Sequence, residues 1–185
     1  TSNGIRALTG VPVFDYWSFD IYANDASMND HWQKLIDGEE KGYIMTAGTA
    51  GQGDDSAFNA CGIAKSHAYS LIAAFTMTDA ASFEHRMLMI RNPWGENNYS
   101  WKWSRDDPRW TDELIAQVPH NFNPKTANPS NTGVFVVPFE AFKDNNDVGY
   151  CFIDLQIGHY RDNEGYSDTW YDVIDANEDG YLFTF

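Results

Sequence analysis

Two apolar runs joined by a short polar connection constrain the fold of this chain more than any other feature. The first, SHAYSLIAAFT, covers residues 66–76, and the second, RMLMIRN, covers residues 86–92. Their aromatic, aliphatic and β-branched content is typical of buried strands. The connection TDAASFE has the composition of a turn. We therefore expect two neighbouring antiparallel strands here.

The segment before these strands predicts a helix followed by a short strand. Trp32, Leu35 and Ile36 recur at helical spacing, and Gly42 ends the pattern. The strand is YIMTA, residues 43–47. The expected helix cap is one of the polar residues near its start, Ser27, Asn29 or Asp30.

The remaining segments complete an α+β pattern dominated by an antiparallel sheet. VFVVPF and GYCFIDLQIGHY predict two further strands, whereas residues 1–14 are expected to form an irregular lead-in because Gly4, Gly10 and Pro12 interrupt them. Residues 93–113 predict a long loop whose tryptophans pack, with a helical turn following at TDELIAQV.

Length and composition predict one folded domain and the start of a second. The chain has 185 residues, of which 43% are hydrophobic and 16% aromatic, enough apolar surface to offset the entropy of ordering. After residue 143 Arg161 is the only Lys or Arg among many acidic residues, which suggests a boundary near residues 158–163. The absent initiator Met and the ending YLFTF suggest a piece of a larger polypeptide.

Charge and cysteine content exclude several classes of function. With 12 Lys and Arg against 27 Asp and Glu, the net charge is −15, which repels nucleic acid and anionic lipid. No apolar run approaches the roughly 20 residues of a membrane span. Cys61 and Cys151 lack zinc-site spacing and are expected to be buried small hydrophobes in a reducing, cytoplasmic setting.

His67 and Asn92 are the residues most able to carry chemistry together. One begins the first predicted strand and the other ends its neighbour, so their side chains can meet at the edge of the sheet. An Asn carbonyl that accepts from one imidazole nitrogen fixes the ring, and the other nitrogen can then take a proton from a thiol.

Several motifs in this order resemble the second half of the catalytic core of calpain-type cysteine proteases. They are HAYS, IRNPWG with the loop ending in WS, and the later G-x-F-x-x-x-F-x-x-F element. The resemblance extends over about residues 5–158. It implies the β-rich half of a papain-like fold over residues 1–158, with residues 159–185 forming a linker and the first strands of a C2-like β-sandwich.

The same resemblance assigns roles within a cysteine endopeptidase that cuts protein substrates. It implies that His67 is the general base, that Asn92 orients it and that Trp94 lines the cleft and shields the pair. The family's nucleophilic cysteine lies in an upstream Q-G-x-C-W type motif, which this sequence lacks. The upstream half is therefore the first expected partner, and this chain alone is expected to be inactive.

Two alternatives remain open at the level of sequence. The chain could belong to a calpain-like pseudoprotease that binds or scaffolds, or it could be a calcium-responsive module. The acidic calcium ligands of the family would fall at Asn98, Arg105, Thr132 and Val134 in this sequence. An arginine and a valine do not ligate calcium, so that site is expected to be lost or remodelled. Calcium control would then come from other parts of the protein.

The tail DANEDGYLFTF allows two interpretations. Asp175, Asn177 and Asp179 match the first ligand positions of an EF-hand calcium loop. The same residues also fit a β-hairpin with a turn at Asp179 and Gly180. We favour the hairpin.

Overall fold

The computed structural model describes residues 2–51, 55–127, 132–146, 148–158, 176–177 and 180–181. A six-stranded sheet forms its centre, with neighbouring strands in the order β1-β6-β2-β3-β4-β5 and every pair antiparallel. The strands are β1 (Val13–Trp17), β2 (Ile44–Gly48), β3 (Ala68–Thr78), β4 (Glu84–Arg91), β5 (Val134–Pro138) and β6 (Asp154–Gly158). The helices are α1 (Ser2–Thr9), α2 (Ser18–Ile21), α3 (Asp25–Lys41) and α4 (Asp112–Ile115), with 3-10 turns at Pro119–Asn121 and Phe139–Phe142. The predicted α+β class with an antiparallel sheet is confirmed.

Helix α3 forms where its apolar spacing predicts, but its cap differs from the prediction. The side chain of Asn24 caps the helix by accepting a hydrogen bond from the Ser27 N–H at 2.9 Å. Gly42 ends the helix with φ 67°, a left-handed conformation that glycine adopts without steric cost. Trp32 and Leu35 bury the inner face of the helix against the sheet.

The central hairpin of β3 and β4 buries both of its faces. Leu88 and Ile90 of β4 face the main core on the α3 side, whereas Met87 and Met89 face a second core. Trp103 and Trp110 from the long loop fill this second core, and each is only 4% exposed. These two tryptophans therefore pack as predicted.

A β-bulge in β3 changes which residues face each core. The pairing with β4 shifts between Leu71 and Ala73. Leu71 lies in the main core, but Ala73 and Phe75, two and four residues later, lie in the second core. The absence of simple alternation in SLIAAF follows from this extra residue, because side chains alternate between faces only along an unbroken strand.

The prediction of an irregular lead-in over residues 1–14 is wrong. This segment contains α1 and the start of β1, and Val13 pairs with Gly158 in the neighbouring strand β6. Gly10 and Pro12 lie between the two elements, whereas Gly4 lies within the first turn of α1. Pairing with a strand more than 130 residues away supplies the hydrogen bonds that local sequence does not reveal.

The tail is described only at four residues. Ala176–Asn177 pairs antiparallel with Gly180–Tyr181, as a hairpin does. Asp175 and Asp179, the other two residues of the possible calcium loop, lie outside the described residues. The domain boundary and the C2-like continuation remain predictions. Within the part of the chain that is described, no helix is long and apolar enough to cross a membrane.

A disulfide joins Cys61 and Cys151 inside the main core. Their Cα atoms lie 5.6 Å apart, and 90 residues separate them in sequence. Both are buried as predicted, but the interpretation as two free small hydrophobes is wrong. No sequence spacing indicates a contact between loops so far apart along the chain.

The disulfide is expected to contribute strongly to stability because it closes a long loop. Cross-linking residues 90 apart restricts the unfolded chain and contributes roughly 4 to 5 kcal/mol in the loop-entropy account. The double variant Cys61→Ala and Cys151→Ala should therefore unfold at lower denaturant concentration than wild type. Reductant should destabilise the wild type and leave the double variant unchanged. Equal unfolding midpoints with and without reductant would contradict a structural disulfide.

Candidate active site

The hairpin brings together the two residues that the sequence singled out. His67 immediately precedes β3, Asn92 immediately follows β4, and Ser70 pairs with Arg91 at this end of the ladder. His67 Nε2 lies 3.0 Å from Asn92 Oδ1. Both side chains are largely withdrawn from solvent, with the His67 side chain 9% exposed and Asn92 7% exposed.

Asn92 is held so that its carbonyl oxygen faces the histidine. The Trp94 N–H donates to Asn92 Oδ1 at 3.1 Å, which identifies this atom as an acceptor. The Asn92 N–H donates to the Gly133 carbonyl at 2.9 Å, and the Gly95 N–H donates to the Asn92 carbonyl at 3.0 Å. His67 Nε2 must therefore be the donor in its contact with Asn92. The nitrogen available for proton transfer is Nδ1.

Trp94 covers the histidine. Its ring centroid lies 4.3 Å from that of His67, and the two ring planes are inclined by 42°. Trp94 is 47% exposed, unlike the buried Trp103 and Trp110. One indole face therefore shields the imidazole while the other remains open to solvent.

Residues on three segments fix the backbone and ring of His67. The His67 N–H donates to Thr49 Oγ1 at 3.0 Å, and the His67 carbonyl accepts from the Thr49 N–H at 3.1 Å. Tyr69 contacts the imidazole edge-on at a centroid distance of 4.9 Å, and its hydroxyl accepts from the Ala64 N–H at 2.9 Å. Burial raises the pKa of Tyr69 to about 12, so the hydroxyl stays neutral. Ser66, with φ 49°, makes the turn into His67.

Asp55 is a site residue that the sequence analysis did not single out. Its Oδ2 lies 3.3 Å from His67 Nδ1, the nitrogen that does not contact Asn92. Its side chain is 44% exposed. One signal was available: Asp55 belongs to the GDD stretch of a glycine-rich loop shortly before the histidine. Loop acids are usually solvated, so composition alone did not distinguish this one.

The arrangement can orient a proton acceptor, but neither of the chain's two cysteines can serve as the nucleophile. Both are joined in the disulfide, and neither is free. The sulfur of Cys61 therefore cannot form a thiolate while the bond is intact. The site as described consists of an imidazole, the amide that orients it and an aromatic cover.

The positions that the resemblance assigns to calcium have other contacts. Arg105 Nε donates to the Lys125 carbonyl at 3.1 Å, and Thr132 Oγ1 accepts from the Val134 N–H at 3.2 Å. In the part of the chain that the structure describes, no group of three or more His, Cys, Asp or Glu side chains is placed to hold a metal ion.

Comparison with known proteins identifies the family. A family profile described as calpain family cysteine protease matches residues 1–151. The chain belongs to the calpain family of cysteine proteases. The calpain-type cysteine protease DEK1 of Zea mays is 28% identical over 114 residues, covering 60% of this chain and 5% of that protein. Calpain-7 of Homo sapiens is 24% identical over 171 residues, covering 90% of this chain and 19% of that protein.

The chain thus spans a small part of the calpain relatives that it matches. A crystal structure of SERA5E from Plasmodium falciparum covers 79% of this chain at 14% identity with a TM-score of 0.36, and 44% of that structure is matched. That similarity is too low to support an argument about the fold. The family assignment rests on the sequence match.

The tight packing behind Asn92 gives a test of the site's geometry. Gly133 has φ 65°, and a Cβ there would overlap the Asn92 carbonyl oxygen. Gly133→Ala should therefore cost more than the roughly 1 to 2 kcal/mol of a left-handed alanine, because the segment holding Asn92 must also shift.

A matched control is Gly149→Ala. Gly149 has a similar φ of 72°, but a Cβ there would meet nothing within 4 Å. Denaturant unfolding should show a larger loss of stability for Gly133→Ala than for Gly149→Ala. Equal losses would mean that the contact with Asn92 is not a tight constraint.

Proposed function

We propose that this chain is the histidine-bearing half of a calpain-like cysteine endopeptidase core, with a papain-like arrangement of two halves around a cleft. In this proposal the nucleophilic cysteine belongs to an upstream half, which is the chain's partner, and the substrates are proteins. The observation that supports the proposal most strongly is the contact between His67 Nε2 and Asn92 Oδ1. A scaffold has no chemical need for a buried imidazole oriented by an amide.

The proposed chemistry assigns a separate task to each nitrogen of His67. Nε2–H donates to Asn92, which leaves Nδ1 to accept the proton of the upstream thiol. The thiolate attacks the carbonyl carbon of the scissile peptide, and the imidazolium returns the proton to the leaving amine. Water then hydrolyses the thioester. A general base of this kind contributes roughly 10² to 10⁴ in rate.

We further propose that this half is inactive alone and that calcium control, where it exists, comes from other parts of the protein. The first statement is supported by the absence of a Q-G-x-C-W type motif from this sequence and by the burial of both of its cysteines. The second is supported by the arginine and the valine at positions where the family's calcium ligands would fall. The C2-like β-sandwich after residue 158 belongs to the same proposal.

A cytoplasmic location is part of the proposal, and the disulfide provides its test. Disulfides persist mainly in oxidising compartments, so the redox state of Cys61 and Cys151 in cells reports on location. Thiol trapping with an alkylating reagent at lysis should find both cysteines reduced if the protein is cytoplasmic. An intact disulfide would contradict that location.

Labelling of the complete protein with a thiol-directed epoxide inhibitor tests the function. Mass spectrometry should locate one modified cysteine upstream of Thr1. Labelling and substrate cleavage should both be lost in His67→Ala, because the thiol then has no base. Asn92→Ala should retain more activity, since Asn92 orients the ring and transfers no proton.

His85→Ala is a matched control for the loss of a histidine. His85 lies at the opposite end of β4 from Asn92 and pairs with Asp79 at 3.2 Å. Its removal should leave labelling unchanged. Undiminished cleavage by His67→Ala would show that another residue is the base. No labelled cysteine in the wild type, with or without calcium, would favour the pseudoprotease.

A further inference from the structure

The acceptors around His67 constrain where the protons of its ring lie. The Trp94 N–H fixes Asn92 Oδ1 as an acceptor, so His67 Nε2 carries a proton. On the other side of the ring, the Asp55 carboxylate lies 3.3 Å from Nδ1. An ionised carboxylate can only accept. The contact is therefore favourable when Nδ1 also carries a proton, and the ring is then a cation between two acceptors.

We infer that Asp55 is a positioning residue that competes with the nucleophile for His67 Nδ1. The inference rests on the proposed function, which makes Nδ1 the nitrogen that must meet the thiol. Before the two halves close, the Asp55 carboxylate orients the ring and occupies the hydrogen-bonding position at Nδ1. The incoming sulfur must replace the carboxylate at that nitrogen.

The competition follows from charge. A thiolate in contact with Nδ1–H would lie beside the Asp55 carboxylate, and the two anions would compete for the same N–H donor. Repulsion between two negative charges at this separation disfavours ionisation of the thiol. Among the described residues, Asn92, Tyr69 and Trp94 also contact the His67 ring, and none of the three carries a formal charge at neutral pH. The Asp55 carboxylate therefore opposes formation of the thiolate for as long as it remains at Nδ1.

The exposure of Asp55 allows this contact to be exchanged. Its side chain is 44% exposed, whereas that of His67 is 9% exposed. Asp55 can thus leave the ring without repacking the core, while the histidine stays fixed by Asn92 and by the Thr49 hydrogen bonds. The carboxylate is the movable member of the pair.

The test is the rate at which iodoacetamide alkylates the nucleophilic cysteine of the complete protein. It is measured at a pH where that rate still rises with pH, so that it reports the thiolate fraction. Asp55→Asn keeps the shape of the side chain and removes its charge, and should react about threefold to tenfold faster than wild type, a tenfold change being one pKa unit of the thiol. Asp55→Glu retains a carboxylate and should remain slow.

Asp79→Asn is the control for a general change in charge. It removes the carboxylate from the other Asp–His contact of this hairpin, between Asp79 and His85 at 3.2 Å, and changes the net charge by the same amount. Its alkylation rate should equal that of wild type. A gain in this variant equal to that of Asp55→Asn would overturn the inference.

A second measurement needs no variant and covers the case in which Asp55→Asn fails to fold. Salt screens half-exposed ion pairs, so alkylation of the wild type should accelerate as ionic strength rises. An unchanged or slower rate in Asp55→Asn, or no response of the wild type to salt, overturns the competition. Absence of alkylation in every form overturns the proposed function itself.

Discussion

The antiparallel pairing of β3 with β4 is the interaction on which the rest of this structure depends. It is the contact between the two longest strands, and both faces of it are buried, one against α3 and the other under the loop tryptophans. Because the ladder fixes the relative position of the strand ends, it also places His67 against Asn92 across 25 residues of sequence. The position of the site is therefore fixed by the packed strands and not by the loops beside it.

A single amide oxygen organises the candidate site. Asn92 Oδ1 accepts a hydrogen bond from the Trp94 N–H and contacts His67 Nε2, so the same atom positions both Trp94 and the imidazole. That arrangement leaves the chemistry of the ring to whatever lies at Nδ1. In the structure this neighbour is the Asp55 carboxylate, and in an assembled core of two halves we propose that it is a sulfur. The two halves are then coupled through one nitrogen.

The parts of the fold that local sequence predicted are those with local causes. Helix α3, its end at Gly42 and the strands of the central hairpin follow from apolar spacing and glycine conformation. Strand β1 and the disulfide could not be predicted in this way, because their partners lie about 140 and 90 residues away. The contact of His67 with Asn92 was predictable because strand pairing brings the ends together. Asp55 was not, because an acid in a loop has the same local pattern whether solvent or a histidine lies beside it.

The bulge in β3 places one unpaired residue, Ile72, between the end of the strand that carries the site and the residues that face the second core. Tyr69 and Leu71 face the main core before the bulge, whereas Phe75 and Met77 face the second core after it. Loss of Ile72 itself would give a regular strand with these side chains still on their present faces, because Ile72 is the residue without a partner in the ladder. A single-residue deletion in this stretch can therefore be absorbed by loss of the bulge, whereas a deletion elsewhere in the strand with the bulge kept would move either His67 or the core side chains to the opposite face of the sheet.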